Sequence, residues 1–167
     1  MNLKNAIAAG ALLASALLVS TLMAQSGTAV KHIQPGTGAI ASAVWVGDTL
    51  YLSGQLPSAV TPADREKGTP AVYGDTKTQA ANTFGKIEAL LKEQGLGMGD
   101  VVMMHVYLVG DPANGGKMDF AGLNAAYGQF FGTKEQPNKP ARSAVQVAGL
   151  AIQGPLVEIE VIAAKSK

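Results

Sequence analysis

The segment Pro140-Ala141-Arg142-Ser143-Ala144-Val145-Gln146-Val147, a short turn, and then Val157-Glu158-Ile159-Glu160-Val161 hold the residue types best suited to chemistry in this chain. Arg142 is one of two arginines among 167 residues. Its guanidinium is planar, permanently charged and forked, which suits bidentate capture of a carboxylate or phosphate better than a lysine ammonium does. Read as strands, these segments place alternate side chains on one face. The spacing then predicts Val145, Val147, Val157, Ile159 and Val161 toward a core, with Arg142, Ala144, Gln146, Glu158 and Glu160 on the opposite side. One face would carry a guanidinium beside carboxylates. The bland reading of the same residues is an arginine paired with Glu158 or Glu160 at a rim, which on sequence alone is the commoner arrangement.

Other chemistry is hard to assemble. His32 and His105 stand far apart, and neither has an acidic residue at metal-ligand spacing, which argues against a metal centre. The chain has no cysteine, which excludes disulfides, thiolate catalysis, cysteine-based metal sites and a lipid-modified cysteine. There is no Gly-x-Ser-x-Gly elbow, phosphate loop or dinucleotide fingerprint, and Gly36-Thr37-Gly38 precedes a strand rather than a helix. Ser53 ends a strand with no histidine placed to activate it, so a turn cap outranks a nucleophile. What remains is an arginine clamp and a carboxylate able to position water. That is enough only for a substrate that is already electrophilic, such as an imine.

The elements that must hold these residues follow from periodicity. Ala41–Val46 and Thr49–Ser53 flank Gly47-Asp48 as a hairpin. Residues 56–74, with Pro57, Pro62, Gly68 and Pro70, read as a long surface loop. Asp75 is a suitable N-cap for a helix whose stripe is Ala80, Phe84, Ile87 and Leu91 and whose terminator is Gly95. Val101–Val109 is a strand with Met103, His105 and Tyr107 on one side and Val102, Met104, Val106 and Leu108 on the other. After a loop at 110–117, a second helix buries Phe120, Leu123, Tyr127 and Phe130 or Phe131, and Gly132 ends it. The order is β-β-α-β-α-β-β. Two helices cover one face of such a sheet, yet the Val101–Val109 strand is apolar on both, so self-association is the economical way to cover the other.

Length and an apolar fraction of 47% bound the chain to one domain. Lys4, the apolar run from Ala6 to Val19 and the small residues at Ala24 and Ser26 have the layout of a secretory signal peptide, assigned to residues 1–24. Residues 25–38 read as a flexible leader and residues 39–167 as the folded domain. Removal of the signal takes only Lys4 from the charged residues, leaving 12 of the 13 basic residues against 12 acidic ones. Formal neutrality does not suit a polyanion partner. The expected location is secreted, in the periplasm, with no stable membrane association once the signal is cleaved.

Five stretches, Tyr51–Pro57, Gly99–Val102, Leu123–Phe131, Pro140–Ser143 and Val157–Glu160, together resemble the RidA family, also called YjgF/YER057c/UK114, over residues 38–164. The resemblance implies an α+β fold of the chorismate-mutase-like kind, assembled as a homotrimer with ligand clefts between subunits. It also implies hydrolytic deamination of reactive 2-imino and enamine acids to 2-keto acids and ammonia, without a cofactor. By position, Arg142 would hold the substrate carboxylate and Glu158 the attacking water, while Ser53, Gly54 and Asn124 would line the cleft. Ile40 stands where deaminases of the family have a tyrosine and Ala144 where they often have cysteine, so the pocket is smaller or more apolar. Two alternatives stand beside this reading: a non-catalytic binding protein for carboxylate metabolites, and an endoribonuclease or translation inhibitor, which neutrality and 5% aromatic content disfavour.

Overall fold

Leu50, Leu52, Met104, Val106, Leu108, Val157, Ile159 and Val161 alternate along three neighbouring strands, and none is more than 5% exposed. That alternation builds a sheet with one sealed face. The computed structural model describes residues 28–165, and the signal segment assigned to residues 1–24 lies outside the described residues. The strands are β1 (Val30–Ile33), β2 (Ala43–Val46), β3 (Thr49–Gln55), β4 (Val101–Val109), β5 (Ala141–Val147) and β6 (Val157–Ala164); the helices are α1 (Thr76–Glu93) and α2 (Phe120–Tyr127). The sheet order is β1-β2-β3-β6-β4-β5. β6 runs antiparallel to both of its neighbours, and β5 runs parallel to β4. A parallel pair needs a crossover, and α2 supplies it. The arrangement is the expected α+β architecture with both helices on one face of a mixed sheet.

Each element has a local cause. The Asp75 carboxylate accepts the Thr78 backbone N–H at 2.8 Å, which caps α1. The stripe Ala80, Phe84, Ile87 and Leu91 is fully buried. Gly95 closes the helix at φ 75°, donating to the Lys92 carbonyl while Leu96 donates to that of Leu91. α2 is shorter than expected: it ends at Tyr127 with Gly128 as its cap. Phe130 and Phe131 turn back in the following bend to pack on Phe84, with ring centroids 5.3 Å and 5.9 Å away. β1 lies inside the stretch read as a leader; the Ile33 carbonyl accepts the Ser42 N–H at 2.8 Å and its hydroxyl at 3.1 Å. Its mostly exposed edge position explains why no hydrophobic alternation marks it. The 56–74 loop carries isolated antiparallel bridges, Thr61 with Val72 and Asp64 with Thr69. No helix among the described residues is long and apolar enough to cross a membrane.

Two expectations about strand faces are corrected. On β6 the faces are as read: Val157, Ile159 and Val161 are buried and Glu158 and Glu160 point the other way. On β5 they are reversed. Arg142, Ala144 and Gln146 pair in register with Met104, Val106 and Leu108 and so lie on the helix side, whereas Val145 is 48% exposed on the opposite face. Arg142 therefore does not share a face with Glu158 and Glu160, and the paired-arginine reading falls with it. β5 is an edge strand of small residues, so its own alternation carries no sign; the register with β4 decides it. On β4, the pairing with β6 shifts between Val101 and Met103, and this bulge buries Val101 while exposing Val102.

The second face of the sheet carries Val44, Tyr51, Met103, His105, Tyr107, Glu158, Glu160 and Ile162, and no described element covers it. Val157→Asp or Ile159→Asp should leave the chain insoluble or unfolded by circular dichroism, since either puts an unpaired charge in the sealed core. Asp75→Ala should lower unfolding free energy by about 1 kcal/mol in a urea titration with an unchanged fold.

Candidate functional site

Arg142 sits at the sheet edge under α2. Along α2, Phe120, Asn124 and Tyr127 are spaced four and three residues apart and so share a helix face. That face meets the arginine. The guanidinium carbon lies 4.5 Å from the Tyr127 ring centroid and 5.5 Å from that of Phe120. Nη2 donates to Asn124 Oδ1 at 2.8 Å. Contact with the two ring faces is a cation–π interaction that adds about 0.5–1 kcal/mol per ring at a partly exposed site. No carboxylate among the described residues lies within salt-bridge distance of it, and Nη1 is buried without a hydrogen-bond partner. Burial pushes the Tyr127 phenol up from its ordinary value, and the Arg142 charge offsets part of that. Tyr127 is itself anchored: its ring stacks on Phe131 at 4.8 Å and meets Phe84 edge-on at 6.3 Å. Ala144, two residues along β5 from Arg142, shares this side and packs against the core.

Glu158 belongs to a different cluster on the uncovered face. The β3–β6 register slips between Leu52 and Gln55, and Gly54, within this irregularity, lies against the glutamate. A Cβ at Gly54 would collide with the Glu158 carboxylate, so only glycine lets the two approach. No described residue donates a hydrogen bond to that carboxylate. Ser53 is committed elsewhere: its hydroxyl donates to the Ala41 carbonyl at 2.7 Å, the capping role rather than a nucleophile's. Ile40 precedes that carbonyl's residue and is 73% exposed. Glu160 by comparison accepts on one oxygen, with His105 Nδ1 2.9 Å from its Oε1 and the Tyr107 hydroxyl donating to the same oxygen at 3.2 Å. Burial pushes the Tyr107 phenol up, and the Glu160 charge and hydrogen bond add to this, followed by the Glu158 charge.

The structure thus sorts the sequence candidates into two half-sites. Arg142, Asn124 and Ala144 lie on the helix side of the edge strand; Glu158, Gly54 and Ser53 lie on the opposite face of β3 and β6, and Ile40 is an exposed residue before β2 that no contact joins to either group. Within one chain they do not form a single pocket. The sequence reading missed Phe120 and Tyr127 as partners of the guanidinium, although their shared helix face with Asn124 was a usable signal. It also passed over His105 and Tyr107, whose period-two spacing faces the Glu158 and Glu160 pair. Among the described residues there is no group of three or more His, Asp or Glu side chains able to hold a metal.

The endoribonuclease L-PSP family model matches residues 30–165. A RutC family protein of Pyrococcus abyssi is 38% identical over 128 residues, covering 77% of this chain and 87% of the relative. TdcF of Escherichia coli, named provisionally as a reactive intermediate deaminase, is 35% identical over 133 residues, covering 79% and 92%. The crystal structure of TdcF with bound serine superposes with a TM-score of 0.59 at 29% identity, over 85% of this chain and 100% of that one. A YjgF family member of Neisseria meningitidis, 23% identical, shares the fold with a TM-score of 0.63 over 85% and 99%. The chain belongs to the endoribonuclease L-PSP family, the group also called YjgF or RidA.

Proposed function

We propose that this protein hydrolyses 2-imino acids, and the enamines that tautomerise to them, to 2-keto acids and ammonia, in clefts formed between copies of a homotrimer. The observation that carries this is the state of Arg142: its fork is held over two aromatic rings and bonded to Asn124, with no carboxylate among the described residues to neutralise it. A substrate carboxylate is the natural counterion. Across the cleft, Glu158 of the partner subunit would hold water over the imine carbon. The water oxygen bonds to that carbon while one of its protons passes to Glu158 and on to the nitrogen, giving an amino alcohol. The hydroxyl proton then passes through Glu158 to the amino nitrogen as the carbonyl forms and the C–N bond breaks, and nitrogen leaves as ammonia. A fixed carboxylate anchor lowers the barrier by holding the carbon in line with the water.

Three considerations support the reading. Each half-site is chemically incomplete alone, one with a cation and no water-holding base, the other the reverse. The uncovered sheet face offers surface for assembly. The TdcF structure binds serine, a small carboxylate ligand. The same anchor could serve a carboxylate-binding protein without turnover, and one assay separates the two: a binder leaves the spontaneous hydrolysis rate of freshly generated 2-iminobutyrate unchanged. The proposed place of action is the periplasm, on the strength of residues 1–24, and the mass of the chain recovered from that fraction tests it.

Arg142→Ala should lower kcat/KM by about 100-fold, the scale of a lost charge-assisted contact, with circular dichroism unchanged; wild-type turnover would remove Arg142 from the site. Gly54→Ala should displace the Glu158 carboxylate and cut kcat by about tenfold or more, while carboxylate binding measured by calorimetry persists.

A further inference from the structure

β4 and β6 set four polar side chains on the uncovered face as two cross-strand pairs, Tyr107 opposite Glu158 and His105 opposite Glu160. Side chains directly opposite on one face of an antiparallel pair are close neighbours. The two glutamates are two residues apart on one strand, yet they differ. Glu160 receives the Tyr107 hydroxyl and the His105 ring nitrogen on one oxygen, whereas Glu158 receives no described donor. A phenol has one hydrogen and two lone pairs. With the hydrogen held by Glu160, Tyr107 offers its neighbours only acceptor capacity. Burial, then the Glu160 charge and hydrogen bond and the Glu158 charge, push the phenol up from its ordinary value, so it keeps that hydrogen at neutral pH. Tyr107, Glu158 and Glu160 line one groove of about 370 Å³ together with the turn after Val147.

A water held by one carboxylate can still swing about that single hydrogen bond. Two acceptors at suitable spacing take both of its hydrogens and leave an oxygen lone pair aimed outward. We infer that Tyr107 is a second water-holding residue of the deamination site, sharing the attacking water with Glu158, and that Glu160, steadied by His105, is the positioning residue that keeps the phenol an acceptor. This rests on the deaminase reading and adds to it. The hydrogen accepted by Tyr107 is bonded and not transferred when the water oxygen attacks; the proton that moves goes to Glu158.

The test is steady-state kinetics of the full assembled protein on freshly generated 2-iminobutyrate, with Tm measured for every variant. Tyr107→Phe keeps the ring and should lower kcat about tenfold, the rate equivalent of one hydrogen bond, with KM and Tm nearly unchanged, since Arg142 still anchors the carboxylate. Glu160→Ala should also lower kcat, but should cost nothing further in the Tyr107→Phe background, because it acts only through the phenol. Losses that multiply in the double variant would overturn the positioning role of Glu160. Wild-type kcat in Tyr107→Phe would overturn the Tyr107 assignment alone. If the wild-type protein itself leaves the spontaneous rate unchanged, the deaminase reading falls and this assignment with it.

Discussion

The pleat of β6 is the constraint on which the rest of the molecule depends. Because successive side chains leave a strand on opposite faces, one eight-residue strand hands Val157, Ile159, Val161 and Ala163 to the core and Glu158 and Glu160 to the other side. It is the third strand from one edge and the fourth from the other, paired on both sides, so neither face can slide without breaking two ladders. The buried set locks the register through its cost of exposure, roughly 1.5–3 kcal/mol for each large aliphatic side chain. The acidic set is then positioned as a by-product, with no energy of its own required. A carboxylate presented this way stands on a rigid platform, which is what water positioning needs.

Arg142 is held by the opposite strategy. It lies on an edge strand and on the side that the helices cover, where an unpaired charge would be costly if it were sealed from water. The guanidinium is only partly sealed, with Nη1 buried and unpartnered, and it has aromatic faces and the Asn124 amide oxygen instead of a counterion. Those faces are themselves fastened, since Tyr127 belongs to the ring cluster of Phe84, Phe130 and Phe131 that joins α1 to α2. The helix pair thus serves the arginine as β6 serves the glutamate. Cation and carboxylate are displayed on opposite sides of the sheet, and no pocket within one chain uses both.

Glu158 and Glu160 show how neighbours, and not residue type, assign chemistry. Both are glutamates, both are half-buried, and both point the same way. One lies across from His105 and accepts two hydrogen bonds on one oxygen; the other lies against Gly54 and has none among the described residues. The difference comes from β3 and β4 on either side of them: an irregularity with a glycine on one flank, a histidine and a tyrosine on the other.

Much of this was legible in the residues themselves. The capped first helix with its Ala80, Phe84, Ile87 and Leu91 stripe, the β2–β3 hairpin, the alternation of Val157, Ile159 and Val161 against Glu158 and Glu160, and the candidates Arg142 and Glu158 follow from local pattern and composition, because they depend on neighbours a few positions away; Asn124 and Gly54 came only from the resemblance to the RidA family. What only the tertiary structure decided was relative placement. Alternation along β5 states that Arg142 and Val145 face apart but not which of them faces the helices, and that choice is made by pairing with Met104 and Val106, nearly forty residues earlier in the chain. The slip of register beside Gly54, the stacking of Arg142 on α2 and the unequal neighbours of the two glutamates are likewise contacts between distant segments. Local sequence sets the period of a strand; its phase against the rest of the protein is a property of the folded sheet.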